Sequence, residues 1–407
     1  MDQQTLIPHL FRTEYRKIVS VLYRHFGFDE MATAEDLASE TFLTAAQSWG
    51  IHGPPANPVA WLYQVAKNKA INQLQRQRTF DSKVAPDLRA ASWPEHDEID
   101  LSPQNILDSQ LQMMFAICHP SIPPEAQIGL SLRILCGFGI DEIAHAFLTN
   151  RETINKRLYR AREKLRAEKI AIELPPDADI DRRLNTVLNT IYLLFNEGYY
   201  SSGEHQPLRK ELCFEAMRLC TMLIEQERTN RPAVNALLAL MCFHASRFDA
   251  RTTQSGELVL YDDQDTGRWN TDLIAKGGYF LHRATGGDTL TRYHLEAGIA
   301  YWNTQPASNT EKWEHILQLY NRLLQIAYTP IAALNRTFAF SKVWGKQAAI
   351  IEAEKLTFDD HLFYFLLLGD LYSDHDRTKA KDYLDRALAL ARTEAEEQAI
   401  RKKIGNL

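Results

Sequence analysis

The chain has 407 residues, room for several domains with sizeable cores at roughly 100 to 200 residues each. Hydrophobic residues make up 45% and charged residues 24%, ordinary globular values that exclude wholesale disorder. The net charge of −6, from 46 bases and 52 acids, excludes binding to nucleic acid by bulk attraction, so any such partner must be met by a local basic patch. The five cysteines, Cys118, Cys136, Cys213, Cys220 and Cys242, are odd in number and form no C-x-x-C pair. They point to buried thiols in a reducing compartment, not to a disulfide framework or a zinc ribbon. No stretch approaches the 18 or so consecutive apolar residues of a bilayer span and no targeting segment is visible. The expectation is a cytoplasmic protein without a membrane partner.

Helical periodicity dominates the chain. Leu6, Leu10, Ile18, Val19, Leu22 and Phe26 predict a first helix that Gly27 stops. Leu37, Phe42 and Leu43 predict a second over about 32–48, with Glu35 and Asp36 near its positive end. The glycines and prolines of 50–57 predict a non-helical loop, and Pro58 begins a third helix that runs to about Arg78. Residues 79–104 are acidic and carry Pro86, Pro94 and Pro103, a linker composition. Helical patterns resume at 106–118, 124–136, 141–147 and 151–169. A short proline-containing joint, Leu174 to Asp179, then leads into a second half that again reads as helices. The segment 257–261 is the one candidate strand or extended loop.

Two constellations carry chemistry. Ile140, Ile143, Ala144 and Phe147, a polar turn, then Ile154, Leu158 and Leu165 have helix-turn-helix form. The outer face of the second helix holds eight bases against three acids over 151–169, against the overall charge of the chain. A helix presenting arginines and polar residues from its first turns suits the major groove, although by itself the pattern equally suits a solvated basic face. The second constellation, Lys67, Asn68, Lys69, Arg76 and Arg78 beside Trp49, Trp61 and the Gly/Pro loop, suits unpaired nucleic acid, since phosphates need cations and exposed bases need stacking surfaces. Trp61 with Leu62 and Val65 is assigned to the core.

Taken in order, Ala34-Glu35-Asp36-Leu37-Ala38-Ser39-Glu40-Thr41-Phe42-Leu43, then Asn57-Pro58 and Ala60-Trp61-Leu62, then Leu158-Tyr159-Arg160-Ala161-Arg162-Glu163-Lys164-Leu165-Arg166, resemble the extracytoplasmic-function group of the sigma-70 superfamily. Tyr192 to Tyr199, Ala333 to Arg336, and Gly256 to Leu260 with Asp263, Gln264, Asp265 and Trp269 resemble a subgroup with a tetratricopeptide-like C-terminal extension. The resemblance implies an all-α chain. Its parts are region 2 at 1–80, an acidic flexible linker at 81–105, region 4 with its helix-turn-helix at 106–172, and a helical-repeat extension at 180–407. It also implies a transcription initiation factor whose partners are core RNA polymerase and promoter DNA. Polymerase would be gripped by Glu35, Asp36, Leu37, Glu40 and Phe42. The minus-10 element would be met by Trp49, Asn57, Asn68, Lys69, Arg76 and Arg78, and the minus-35 element by Arg151, Thr153, Asn155, Lys156, Arg157 and Arg160. Family members often carry Asp and paired arginines where this chain has Asn72 and Gln73 to Arg78, so a promoter sequence is not implied.

The second half holds no H-E-x-x-H, G-x-S-x-G, Walker or Rossmann pattern, which points away from an enzyme and from any cofactor or metal. His244, His282 and His294 read as core or surface residues. Phe365, Leu368, Gly369, Tyr372, Ala380, Leu384 and Ala387 instead follow the tetratricopeptide pattern with one residue deleted. Residues 180–407 carry 27 bases and 29 acids and residues 1–173 carry 19 and 21, so neither half can mask the other by bulk charge. The extension is expected to act through a docked surface, on its own chain or on a protein partner. The rival reading is a polymerase-independent helix-turn-helix regulator whose repeat domain senses a ligand or a protein.

Overall fold

The computed structural model describes residues 3–84, 99–199, 209–251, 259, 263–305, 309–358, 360–391 and 394–407. Among them the fold is all-α, with eighteen α-helices and no strand. Of the candidate strand at 257–261 only Val259 is described, where its N–H donates to the Arg251 carbonyl at 2.8 Å. The chain divides into two compact units, Met1–Leu193 and Leu194–Leu407.

The first unit is built around α1 (Gln3–Phe26), whose Ile18, Val21, Leu22 and Tyr23 are fully buried. It packs on α2 (Met31–His52), α3 (Pro58–Val84) and α4 (Pro103–Ile117). Gly27 ends α1 in the left-handed region at φ +68°, as the sequence predicts. Helix α2 runs one turn further than predicted, so Gly50, Ile51 and His52 are helical. Burial of Trp49 anchors that last turn against the roughly 1 kcal/mol that a helical glycine costs, and Gly53 at φ +75° then stops it. The middle of the expected linker, residues 85–98, lies outside the described residues. Its end is held: Ile99 is buried, and Asp100 accepts from the Ser102 amide and hydroxyl, both at 2.8 Å, ahead of α4.

Helix α5 (Pro124–Leu130) continues into a π-helical turn at Ser131–Leu135, which contacts α1 and α4. Then come α6 (Ile140–Ala146) and α7 (Arg151–Ala167). The Asn150 side chain accepts from the Thr153 amide at 2.8 Å and starts α7. Gly129 lets α7 close on α5, since a Cβ there would lie 2.9 Å from Leu158 Cδ2. Helix α8 (Asp177–Tyr199) begins in this unit, where Thr190 donates to Gln127 Oε1 at 2.6 Å and Arg183 to the Phe115 carbonyl.

In the second unit consecutive helices pack on one another: α9 (Lys210–Glu225), the almost wholly buried α10 (Pro232–Ala245), α11 (Thr271–Arg283), α12 (Arg292–Asn303), α13 (Thr310–Ile326), α14 (Pro330–Trp344), α15 (Lys346–Glu354), α16 (Leu362–Tyr372), α17 (Arg377–Leu390) and α18 (Glu394–Gly405). Small residues set the spacing as the sequence pattern requires. A Cβ on Gly369 of α16 would stand 2.7 Å from Leu384 of α17, and Ala380 and Ala387 are fully buried at the same contact.

Candidate nucleic-acid interface

Helix α7 divides cleanly. Ile154, Leu158, Ala161 and Leu165 are buried, while Arg151, Thr153, Asn155, Lys156 and Arg160 are exposed. Two cations of its first turns are only lightly engaged: Arg151 lies 3.6 Å from Asp141 and Lys156 2.6 Å from Glu152, both at the surface. Such exposed pairs contribute at most about 1 kcal/mol, so they yield readily to a stronger anion. Arg157 differs. It is half-buried with its guanidinium 5.6 Å from the centre of the Phe147 ring, so it braces the turn between α6 and α7. Tyr159, 65% exposed on α7, is an aromatic that the sequence reading passed over as part of a motif.

Helix α3 carries a polar stripe. Gln64, Asn68, Asn72 and Arg76 are exposed at four-residue spacing, opposite the buried Leu62, Ala66 and Ala70. Asn68 accepts from Gln64 Nε2 at 2.9 Å and Lys69 pairs with Glu40 of α2 at 3.1 Å. The side chain of Arg78 lies outside the described residues. The stripe is aimed by a bond that fixes α3 on α1: Tyr63 donates to Glu14 Oε2 at 2.5 Å while Lys17 holds the other oxygen at 2.9 Å. Burial acts to raise the Glu14 carboxyl, but the bonds from Tyr63 and Lys17 outweigh it and leave it below its ordinary value. In the loop before α3, Asn57 accepts from the Ala60 amide at 3.0 Å, which makes it the cap of α3.

Three expectations are corrected by burial. Trp49 is 2% exposed and packs edge-on against Trp61 at 5.3 Å, so it supports the loop from beneath and offers no stacking face. Ile51, 79% exposed in the last turn of α2, is the large apolar side chain presented next to the loop instead. Leu37 and Phe42 are core residues, Phe42 against Phe11 at 5.1 Å and Tyr15 at 6.2 Å, so they shape α2 from inside. Asp36 and Glu40 are exposed. Glu35 is half-buried and accepts from Tyr23 at 2.5 Å and Arg162 of α7 at 2.8 Å, with Arg133 at 3.6 Å. The sequence reading missed Arg162 and Arg133 as partners of Glu35, because their chain separation hides the contact. Burial, reinforced by Glu35, pushes the Tyr23 hydroxyl far above its ordinary range, so it stays a donor.

No cluster of His, Cys, Asp and Glu among the described residues could hold a metal ion. His244 faces the Tyr199 hydroxyl at 3.1 Å, and burial holds it well below its usual range. All five cysteines are buried, and desolvation raises the Cys118 thiol to about 11 and Cys213 and Cys242 to about 12, which leaves them unreactive. No helix among the described residues is long and apolar enough to cross a membrane.

Comparison with known proteins bears on this arrangement. Residues 10–80 match sigma-70 region 2, and residues 183–285 match a family of unknown function (DUF6596). The chain is similar to an uncharacterized protein of Rhizobium meliloti, 31% identical over 387 residues that cover 93% of this chain and 91% of that one. It is similar to the ECF RNA polymerase sigma factor BldN of Streptomyces coelicolor, 27% identical over 38% of this chain and 56% of that protein. The ECF RNA polymerase sigma-E factor of Haemophilus influenzae is 25% identical over 37% of this chain and 79% of its own length. No solved structure matches. The chain belongs to the extracytoplasmic-function group of the sigma-70 superfamily. It is a sigma factor for transcription initiation with an additional helical C-terminal region, and the reading as a polymerase-independent regulator is not favoured.

Proposed function

We propose that this sigma factor grips core RNA polymerase through the exposed acids Asp36 and Glu40 of α2, meets the minus-10 element with the last turn of α2, the 53–57 loop and the polar stripe of α3, and reads the minus-35 element with α7. The partition into region 2 (1–80), a linker (81–105), region 4 (106–172) and a tetratricopeptide-like extension (180–407) belongs to the same proposal. So does a cytoplasmic setting, with no catalytic group in the chain itself. The observation that carries it is the outer face of α7. Five polar or cationic residues, Arg151, Thr153, Asn155, Lys156 and Arg160, project together from a helix seated on its neighbours by Ile154, Leu158 and Leu165. Helix α6 and the turn before α7 complete a helix-turn-helix, in which phosphate contacts position the helix and base contacts specify sequence. The extension is proposed to control access of these surfaces to the promoter from its place on the same chain, where even a weak contact is populated by effective concentration.

Run-off transcription with purified core polymerase, on DNA enriched by binding to the full chain, tests the reading. Asn155→Ala and Lys156→Ala should change base preference at the upstream element by about 1 to 3 kcal/mol per lost contact, while Arg160→Ala should weaken all sequences alike and lower the salt slope. Transcripts that start at the same sites with the same preference in all three variants would remove α7 as the reader.

A further inference from the structure

Helix α7 ends in a conformation that its terminal residue does not favour. The Lys169 N–H donates to the Arg166 carbonyl at 2.9 Å and the Ile170 N–H to the Leu165 carbonyl at 3.0 Å, the paired bonds of a Schellman end. They hold Lys169 in the left-handed region at φ +52°, where glycine is unstrained and a residue with a Cβ is not. Lys169 lines a cavity of about 320 Å³ that it shares with the first turns of α8 and with His119, just after α4. Arg183 of α8 lines the same cavity. It is half-buried, its Nη2 donates to the Phe115 carbonyl, and its Nε is buried with no hydrogen-bond partner. Among the described residues no carboxylate forms an ion pair with Lys169 or Arg183. Arg182, also on the cavity, is already paired with Asp179 at 2.8 Å. His119 adds no charge at neutral pH, since burial and the Arg183 charge hold its imidazole below the usual range.

We infer that this cavity binds a small phosphorylated sugar, its phosphate held between Lys169 and Arg183. Such a site stands independently of the promoter reading proposed above. Two cations on one cavity, neither neutralised by a carboxylate, favour an anion there. Phosphate suits the pair, because arginine offers a fork of donors and lysine a point charge to its oxygens. The volume falls at the lower end of small-molecule sites and exceeds what a bare phosphate fills. The rest of the lining fits the carbon part: Ile170 and Pro175 give an apolar wall, while Glu173 and Asp179 can accept from sugar hydroxyls. The same two carboxylates repel a continuous polyanion, which favours a small phosphate over the backbone of DNA. A left-handed lysine at the end of α7 is strain kept in place of a glycine, and its ammonium at the cavity gives that strain a use.

The test titrates the full chain by calorimetry with ribose 5-phosphate and, separately, with ribose. Ribose 5-phosphate should bind saturably and ribose should give no heat of binding. Arg183→Gln should weaken ribose 5-phosphate by about tenfold or more, the loss expected for charge-assisted bonds. Lys169→Gly should weaken it by about fivefold to tenfold and at the same time raise the melting temperature, because glycine takes the left-handed conformation without strain. Affinity lost while stability is gained cannot come from misfolding, so Lys169→Gly decides the matter if Arg183→Gln fails to fold. Asp179→Asn, which releases Arg182, should tighten binding. Absence of saturable, phosphate-dependent heat overturns the site, and so does full affinity in Lys169→Gly and Arg183→Gln. Displacement of ribose 5-phosphate by a short DNA duplex at equal phosphate concentration overturns the small ligand and gives the two cations to the DNA backbone.

Discussion

Two adjacent glycines in the middle of α11 offer a test in which the tertiary structure reverses the effect of one substitution. A Cβ on Gly277 would meet three ring atoms of Phe243 at 2.7, 2.8 and 3.0 Å, whereas a Cβ on Gly278 would meet nothing within 4 Å. Replacing a helical glycine by alanine gains about 1 kcal/mol from backbone entropy and helix propensity at either site. At Gly277 the gain is opposed by overpacking, about 1 to 3 kcal/mol. The upper part of that range applies, because Phe243 is 1% exposed and packed edge-on against Tyr301 at 5.7 Å, so its ring has nowhere to retreat. Gly278→Ala should therefore stabilise by up to about 1 kcal/mol and Gly277→Ala destabilise by about 1 to 2 kcal/mol, a gap of some 2 to 3 kcal/mol. Native-state hydrogen exchange of the full chain, followed by mass spectrometry on peptides covering α10 and α11, reads the difference locally, where it amounts to about 30-fold or more in protection. Gly277→Ala protected as well as Gly278→Ala would refute the argument that Gly277 is present to let α10 approach α11.

Three further outcomes are expected. Asp36→Arg with Glu40→Arg should abolish capture of core polymerase without loss of helicity, measured by pull-down and circular dichroism; Leu37→Ala is the wrong probe, since its buried site would cost about 2 to 5 kcal/mol by cavity formation. The Glu14 carboxyl titrates below its ordinary value of 4.5 in the folded chain, so its contribution is complete above that value and is lost as pH falls through the folded one. Tyr63→Phe removes one lowering bond, and acid unfolding followed by tryptophan fluorescence should begin at higher pH; an unchanged acid limb would discount the Tyr63 bond. Truncation after Leu193, which keeps the turns of α8 that hold Thr190 and Arg183 on the first unit, should change polymerase-dependent transcription at equal concentration. Equal activity of the cut and intact chains across salt would leave the extension as an independent binding module.

The sequence by itself determined the all-α class, the order of the helices and the outer face of α7, because these depend on local periodicity, capping and punctuation. Gly27 ends up doing what its residue type and position predict, and the spacing of Gly369, Ala380, Leu384 and Ala387 anticipates the close pairing of α16 with α17. Local pattern also set the errors. Gly50 reads as a breaker, yet the helix continues through it because burial of Trp49, a tertiary term, outweighs a local cost. Leu37, Phe42 and Trp49 sit among residues that resemble binding motifs, and a motif does not say which side of a helix meets the core. The partner of Glu35 was least legible of all. Arg162 lies 127 residues away, and no periodicity links α2 to α7. Only the fold, by packing α4 and the π-helical turn on α1, brings the two charges within 2.8 Å.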